Sequence, residues 1–338
     1  MIITMKKIVL LFAAVCCAAL VNAGERRIAS PDGRLEVVVS DDGGRATYSV
    51  TYDGEVFLKP SPLGLRTNVG DFTQGLTLGE ESEMTAVDET YSLKNIKKST
   101  VHYVANRVRV PFVKEGKTVF DVEFSVGNND VAFRYNLHRA GEPRCCVVES
   151  EATGFRMADG TTTFLCPQSG AMGGFARTTP SYETPYTVDD AMGKNGFGEG
   201  YSFPCLFRNG DKGWVLISET GVDSYYCASR LMGAADGLYT IGFPQQAEFN
   251  GNGTAAPGVT LPGRTPWRTV TVGATLAPIM ETTVPFDVVE RRYEPSKDYA
   301  AEYGCGTWSW IIAGDGSMNY DEQRRYIDFC ADMGYRTV

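Results

Sequence analysis

The sequence predicts a mainly β protein, in which a large antiparallel sandwich precedes one strand–helix–strand unit. Three observations support this prediction. Apolar and polar residues alternate in several short runs, and no convincing helical period occurs between Arg26 and about Pro285. Glycine contributes 37 of 338 residues, about 11% against roughly 7% in typical proteins, which suits many turns between short strands. Helical spacing enters only near the C-terminal end of the sequence.

The first 23 residues resemble a Sec-type signal peptide. Lys6 and Lys7 form a basic start, an apolar run follows, and Ala23 ends a tolerable cleavage site. The apolar run is too short for a membrane-spanning helix. We therefore expect an exported chain, periplasmic or secreted and without a membrane anchor, whose formal charge moves from -9 to -11 when the two lysines are removed. Such an acidic protein binds nucleic acid and anionic membranes poorly.

Cysteine and histidine usage narrows the chemistry further. Seven cysteines follow residue 23, and their spacing matches neither a disulfide scaffold nor a zinc site. We expect most of them to be small buried hydrophobic residues, with one disulfide as the alternative. His102 and His138 are the two histidines of the sequence, which removes a histidine-based zinc site and a Ser-His triad from consideration.

The clearest element of the predicted sandwich is a hairpin between residues 120 and 137. Two runs with period-two alternation flank the turn sequence GNND, which predicts two antiparallel strands with one buried face. The turn sequences DDGG and YDGE separate further strands, and RTVTVGATLAP adds another. The alternating apolar residues of the hairpin are Phe120, Val122, Phe124, Val126, Val131, Phe133, Tyr135 and Leu137.

The character of the sequence changes after residue 286. A polar linker spans residues 287–303, and GTWSWII then predicts a strand on which Trp308 and Trp310 share one face. Asn319, with Glu322 three residues later, predicts the start of a helix, and Gly334 predicts its end. The apolar face of this helix is predicted to comprise Tyr326, Ile327, Cys330 and Met333.

The final residues YRTV predict the beginning of another strand. Strand, helix and strand at this length indicate one unit of a parallel sheet or barrel, and one unit alone cannot bury both faces of a parallel strand. We therefore expect that a domain beginning at residue 304 continues beyond residue 338. The predicted divisions are a signal peptide over residues 1–23, a sandwich over 24–286, a linker over 287–303 and a truncated unit over 304–338.

The order of several motifs resembles glycoside hydrolase family 97. These motifs are SPDGRLEVVVSDDGGRATYSVTYDGE, SPLGLRTN, YETPYT, GWVLISETGVDSYY, TPWRTVTVG and the C-terminal GTWSWIIAGDGSMNYDEQRRYIDFCADMGYRTV. The resemblance covers almost all of the chain after residue 23. It implies an N-terminal β-super-sandwich, a catalytic (β/α)-barrel and a short C-terminal β-domain, of which this chain would hold the first and the start of the second. The sequence EYGCGTWSW departs from the glycine-rich, lysine-containing entry to the barrel that is usual in the family.

This resemblance implies an exported bacterial enzyme that cleaves α-glycosidic bonds of oligosaccharides with carboxyl groups on either side of the anomeric carbon. An α-glucosidase is the first expectation and an α-galactosidase the alternative. Inverting and retaining members share the region present here, so the stereochemistry stays open. The family's catalytic residues come from later strands, and none is assigned to this chain. The competing interpretation is a sandwich without catalysis, from a truncated gene, that holds carbohydrate or packs on a partner.

The resemblance also implies a calcium ion near the active site, bound by barrel carboxylates and by one glutamate of the sandwich. Glu183 in SYETPYT is the best match, and Glu219 in LISETG is the second. An ordinary solvated loop glutamate is an equally good interpretation of Glu183.

Two further residues are candidates for sugar binding. Asp315 follows the first predicted barrel strand, on the side where barrel active sites form, although a turn aspartate explains it equally well. Trp310, with Trp308, would form a sugar platform or fill the barrel, and packing is the favoured interpretation.

We expect residues 24–338 alone to hydrolyse neither p-nitrophenyl α-glucoside nor p-nitrophenyl α-galactoside, because the resemblance implies catalytic carboxylates outside them. The measurement is release of p-nitrophenol by the purified protein. Turnover that follows the protein through purification would contradict this expectation.

Overall fold

The structure is a computed structural model that describes residues 24–94, 96–139, 141–169, 184–193, 197–233, 235–245, 248, 254–291 and 303–338. The predicted signal peptide, Glu183 and most of the predicted linker lie outside these residues. The chain divides into two compact units, Met1–Val289 and Glu290–Val338. The domain boundaries expected from the sequence remain predictions.

The described part of the first unit consists mainly of short strands. They are β1 (Glu25–Ala29), β2 (Leu35–Ser40), β3 (Thr47–Tyr52), β4 (Glu55–Pro62), β5 (Leu65–Thr67), β6 (Gly70–Phe72), β7 (Thr77–Leu78), β8 (Thr85–Ser92), β9 (Thr100–Lys114), β10 (Lys117–Gly127), β11 (Asp130–Leu137), β12 (Cys145–Glu151), β13 (Gly154–Met157), β14 (Thr162–Pro167), β15 (Asp190–Ala191), β16 (Tyr201–Asn209), β17 (Gly213–Thr220), β18 (Arg230–Met232), β19 (Leu238–Gly242), β20 (Gly258–Thr260), β21 (Gly263–Arg264) and β22 (Trp267–Gly273).

The strands of this unit pair antiparallel throughout the described residues. One long ladder runs β1-β2-β3-β4-β13-β19-β18-β16, and it continues from β16 through β17-β22-β11-β10-β9-β8. A smaller four-stranded sheet contains β5, β6, β12 and β20. The predicted large antiparallel β architecture is therefore confirmed.

The predicted hairpin forms the centre of the core. Phe124 of β10 lies opposite Phe133 of β11 in the ladder, and their ring centroids are 5.6 Å apart. All eight alternating apolar side chains of this hairpin are buried, and they belong to one large hydrophobic cluster. Burying one such side chain contributes roughly 1.5–3 kcal/mol, so the alternation accounts for a large part of the stability of the sheet.

The second face of β10 is also buried, whereas the sequence predicted a single buried face. Every residue from 119 to 127 is buried, including Asp121, Glu123 and Ser125. Neighbouring strands supply their partners, because buried polar groups must be hydrogen-bonded to be tolerated. Asp121 accepts from His138 (2.7 Å) and Asn136 (2.7 Å), Glu123 pairs with Arg134 (2.8 Å), and Ser125 bonds Tyr103 (2.7 Å).

Two short helices follow β22, in a region where the sequence showed no convincing helical period. They are α1 (Leu276–Glu281) and α2 (Val284–Asp287). Helices of six and four residues are too short to display a period of 3.6, which is why the sequence pattern missed them. Thr275 caps α1 by accepting a hydrogen bond from the amide of Ala277. Val284 packs with Ala132 and Trp267 on the outer face of the sheet.

The second unit contains the predicted helix but not the predicted strand. Helix α4 spans Tyr320–Met333, Asn319 accepts from the amide of Glu322 (3.0 Å), and Gly334 ends the helix with a φ of 66°. The strand prediction for GTWSWII is wrong, because Trp310–Ala313 form the short helix α3 and Gly314–Ser317 a 3-10 turn. A parallel bridge between Gly306 and Thr337 agrees with the predicted strand direction.

A helical turn makes its hydrogen bonds locally, whereas a parallel strand needs neighbours, and this difference explains the failed strand prediction. The apolar face predicted for α4 is also only partly covered within this unit. Cys330 is buried, but Ile327 and Met333 are each 53% exposed.

The seven cysteines of residues 24–338 all lie among the described residues, and no disulfide bond joins any two of them. Cys146, Cys166, Cys205 and Cys330 are buried, as expected for small hydrophobic residues. No helix within the described residues is long and apolar enough to cross a membrane.

The segment after β22 is held on the sheet by two carboxylates. Asp130, at the start of β11, accepts hydrogen bonds from Thr271 (2.5 Å) and Thr282 (2.8 Å). Asp287 of α2 accepts from Tyr91 and, at 2.9 Å, from Thr283. Both carboxylates line a cavity of about 230 Å³, together with Lys98, Glu281, His102 and Tyr103.

Burial raises the pKa of Asp130 to about 6, although its threonine partners act in the opposite direction and favour the charged form. The pKa of Asp287 is also raised by burial, against the effect of its bonds with Tyr91 and Thr283. A raised carboxyl pKa means that the folded state binds the proton more tightly than the unfolded state does. Protonation of such a carboxyl therefore stabilises the folded state. This contribution is fully present below the pKa of the unfolded state and is lost as the pH rises through the pKa of the folded state.

We predict that the Asp130→Asn variant loses part of the pH dependence of stability between about pH 4 and pH 6. Asparagine still accepts from both threonines but carries no charge, so the variant should gain stability over wild type at pH 7.5 and gain little at pH 4. One pKa unit corresponds to about 1.4 kcal/mol, so we expect a relative gain of about 1–3 kcal/mol. Urea unfolding at both pH values measures it.

The matched control for this experiment is Asp211→Asn, which changes an exposed turn residue. The control should leave the pH dependence as it is in the wild type. An Asp130→Asn protein whose stability follows the wild-type pH curve would contradict the role of Asp130.

Candidate functional site

The two residues predicted to bind sugar are in direct contact. Trp310 begins α3, and its indole Nε1 donates a hydrogen bond of 3.0 Å to Oδ1 of Asp315 in the following 3-10 turn. The ring of Trp310 stacks on the ring of Trp308, with centroids 6.3 Å apart and an angle of 24° between the planes. Trp308 is 67% exposed and Trp310 48% exposed, so both rings are accessible within the second unit.

We call Trp308, Trp310 and Asp315 the aromatic platform. An indole offers a large apolar surface with a polar edge, and a carboxylate accepts hydrogen bonds from hydroxyl groups. A sugar ring has both features, because its C–H groups form apolar patches and its hydroxyls donate. The arrangement is thus chemically suited to a pyranose, although its use as a binding site remains a prediction.

Glu219, the second candidate for calcium binding, lies on β17 inside a buried ionic cluster. Its carboxylate accepts from the guanidinium of Arg268, from the amide of Ser229 (2.8 Å) and from the hydroxyl of Ser229 (2.7 Å). Arg268 also donates two hydrogen bonds to Glu151, of 3.0 and 2.6 Å. Both oxygens of Glu219 are therefore occupied by donors.

The electrostatics of this cluster favour the ionised form of Arg268. Burial acts to lower the pKa of Arg268, but the adjacent Glu151 and Glu219 outweigh it, and the pKa is raised. Burial raises the pKa of the nearby Cys227 thiol to about 11, against the lowering effect of Arg268, which leaves the thiol protonated and a poor nucleophile at neutral pH. None of the sequence patterns described above predicts this cluster. The signal was a charged residue inside the buried strand WRTVTVG, where an arginine requires carboxylate partners.

The described residues do not form a complete calcium site. A calcium ion on Glu219 would compete with the guanidinium of Arg268 for the same oxygens. No group of three histidine, cysteine, aspartate or glutamate side chains capable of holding a metal occurs in the described part of the chain. Glu183 lies outside the described residues, so its assignment as a calcium ligand stays a prediction.

Comparison with known proteins identifies relatives across almost the whole chain. The family model described as Glycosyl-hydrolase 97 N-terminal matches residues 28–290. A protein of Streptomyces bingchenggensis named "Probable retaining alpha-galactosidase" is 27% identical over 319 residues, which cover 94% of this chain and 45% of that protein.

Two solved structures are also similar. The crystal structure of a β-arabinopyranosidase shares 51% identity with a TM-score of 0.83, covering 92% of this chain and 50% of that one. A family 97 enzyme from Pseudoalteromonas sp. strain K8, solved as its E480Q variant with panose, shares 20% identity with a TM-score of 0.71, covering 92% and 46%. This second likeness concerns the fold alone. The chain spans about half the length of these relatives or less.

We predict that Glu183→Gln in the full-length protein raises the calcium concentration needed for half-maximal protection against thermal unfolding, because the amide removes one charged ligand oxygen. In contrast, Glu219→Gln should lower the free energy of unfolding by about 1–3 kcal/mol with or without calcium, because a buried guanidinium loses a charged partner. Calcium titrations of the melting temperature separate these effects.

The matched control is Glu149→Gln, an exposed change on β12. If Glu183→Gln titrates with calcium as the wild type does, the assignment of Glu183 is wrong.

Proposed function

Because the chain belongs to glycoside hydrolase family 97, we propose that the full-length protein is an exported retaining glycosidase that releases β-arabinopyranose from oligosaccharides. The observation that carries this proposal is the 51% identity to a β-arabinopyranosidase over 92% of the chain. Identity at this level is well above the 27% shared with the α-galactosidase relative and the 20% shared with the panose-binding enzyme.

The names of the two more similar relatives agree in their sugar chemistry. A β-L-arabinopyranoside has the same configuration around the ring as an α-D-galactopyranoside and lacks only the C6 hydroxymethyl group. An enzyme that recognises the ring hydroxyls of one therefore recognises those of the other. The α-glucosidase expected first from the sequence would act on a glucose ring, whose C4 hydroxyl is equatorial. In arabinopyranose and galactopyranose of the configuration given above, the C4 hydroxyl is axial.

The name of the α-galactosidase relative supports a retaining mechanism. In such a mechanism two carboxyl groups about 5–5.5 Å apart act in turn, one as nucleophile and one as acid and then base. We assign neither role to a residue of this chain. The export proposed here rests on residues 1–23, which have the charge and apolar pattern of a signal peptide.

We predict that the full-length protein has its highest kcat/KM for p-nitrophenyl β-L-arabinopyranoside, a value about tenfold or more lower for the α-D-galactopyranoside, and no measurable value for the α-D-glucopyranoside. Accommodating or excluding one extra carbon group changes kcat/KM by about 10–200-fold, and a misplaced hydroxyl at a hydrogen-bonding site costs far more. Initial rates on the three substrates measure this order, and NMR of the first product tests retention of configuration.

Each alternative has its own outcome in this assay. The fastest turnover on the α-glucoside would overturn the proposal in favour of an α-glucosidase, and fastest turnover on the galactoside would favour an α-galactosidase. A full-length protein that binds these sugars and hydrolyses none of them would support the interpretation as a module without catalysis.

A further inference from the structure

The first described residue of the chain is bound to a buried aspartate. The backbone nitrogen of Gly24 donates a hydrogen bond of 2.7 Å to Oδ1 of Asp41. In the ladder between β1 and β2, Glu25 lies opposite Ser40, and the next pair along the two strands is therefore Gly24 and Asp41. The other carboxylate oxygen of Asp41 accepts the backbone amide of Leu78 on β7 at 2.8 Å. One aspartate thus joins the start of β1 to β7.

Asp41 is a buried carboxylate without a cation beside it among the described residues. It is 7% exposed, and the two donors that reach its oxygens are backbone nitrogens. Arg26 of β1 pairs with Glu81 instead, at 3.5 Å. A buried ion is costly unless an opposite charge lies close to it. A positive charge at one of the two nitrogens that already contact the carboxylate would supply this partner.

The nitrogen of Gly24 can carry such a charge after proteolysis, whereas that of Leu78 cannot. A peptide nitrogen is neutral, but an α-amino group has an ordinary pKa of about 7.7–8.0 and is mostly protonated at pH 7. The sequence pattern alone places the predicted cleavage site after Ala23. Hydrolysis of the bond between Ala23 and Gly24 consumes one water and leaves a carboxylate on Ala23 and an ammonium group on Gly24. Sequence pattern and geometry therefore indicate the same bond independently.

The residue type at position 24 suits this contact. A Cβ atom at Gly24 would lie 3.1 Å from Cδ1 of Leu78 and 3.6 Å from Oδ1 of Asp41. The first distance is tighter than an ordinary van der Waals contact, so a larger residue would have to displace Leu78 or move away from the carboxylate. Glycine has no Cβ, and it therefore lets the backbone nitrogen approach Asp41 without a clash.

We propose that cleavage of the signal peptide between Ala23 and Gly24 creates an α-ammonium group that pairs with the buried carboxylate of Asp41, so that maturation strengthens the first unit. A hydrogen bond between two charged groups is stronger than one between a neutral amide and a carboxylate, so the mature amine holds Asp41 more firmly than the precursor amide does. This inference rests on the export that is part of the proposed function, and it is independent of the sugar that the enzyme releases.

The test compares two forms of the full-length protein, one that begins at Gly24 and one that retains Asn22 and Ala23. In the first form, the α-amine should react slowly with acetic anhydride at pH 7, because pairing with a carboxylate favours the protonated, unreactive amine. Asp41→Asn should speed this reaction by about tenfold, which is the effect of one pKa unit. In the extended form, whose amine is displaced from Asp41, the same substitution should leave the rate unchanged. Mass spectrometry of the N-terminal peptide measures the rates.

Thermal unfolding of the same proteins gives a second measurement. Asp41→Asn should lower the melting temperature by at least about 2 °C more in the form that begins at Gly24 than in the extended form, because only the former loses a charged pair. Asp42→Asn, which changes the exposed neighbouring carboxylate, is the matched control. It should have the same effect in both forms.

Equal effects of Asp41→Asn in the two forms would overturn the ion pair. If Asp41→Asn does not fold, the protein acetylated at Gly24 replaces it, and an acetylated protein that melts with the free-amine form would overturn the pair in the same way. N-terminal sequencing of the exported protein should begin at Gly24, and another first residue would overturn the cleavage site while export stands. A protein that keeps residues 1–23 would overturn both export and this inference, whereas the assay with three glycosides tests the sugar separately.

Discussion

The first unit is built around a buried arginine. Arg268 of β22 is fully buried, and its guanidinium joins Glu151 at the end of β12 to Glu219 on β17. Removing an ion from water costs several kcal/mol, and the cost is offset only when its donors meet acceptors in good geometry. The three strands must therefore keep their spacing for the charges to stay paired. Tyr226 adds a hydrogen bond of 3.3 Å to Glu151, which extends the constraint to the loop after β17.

The sequence marks Arg268 as a buried arginine that needs carboxylate partners, but it does not identify them, because Glu151 and Glu219 are far from Arg268 along the chain. Arg268 is 117 residues from Glu151 and 49 from Glu219, and no local pattern relates them. The hairpin of β10 and β11 was predictable because alternation and turn lie within one short stretch. Helix α4 was predictable because Asn319 and Gly334 mark its ends through local hydrogen bonds and a left-handed backbone.

The residues of the candidate sugar site could be identified from the sequence, but the contact between them could not. Position after a predicted strand singled out Asp315, and alternation with Trp308 on one face of that strand singled out Trp310. The contact between them depends on the turns from 310 to 317, which bring side chains five residues apart together. The sequence predicted a strand there, because alternating tryptophans are typical of strands when neighbours exist to pair with them. The role of Glu183 as a calcium ligand remains a prediction that is based on the resemblance to the family.

The double-sided burial of β10 has a consequence for how this protein family changes over evolutionary time. Replacing Glu123 alone would leave Arg134 without its carboxylate in a site where the glutamate side chain is only 6% exposed. Replacing Arg134 alone would strand the carboxylate in the same way. Divergent relatives should therefore alter these two positions jointly, so that the pair covaries across an alignment while each apolar neighbour drifts on its own. Substitutions at the buried polar positions of β10 should therefore occur in pairs with their partners on the neighbouring strand.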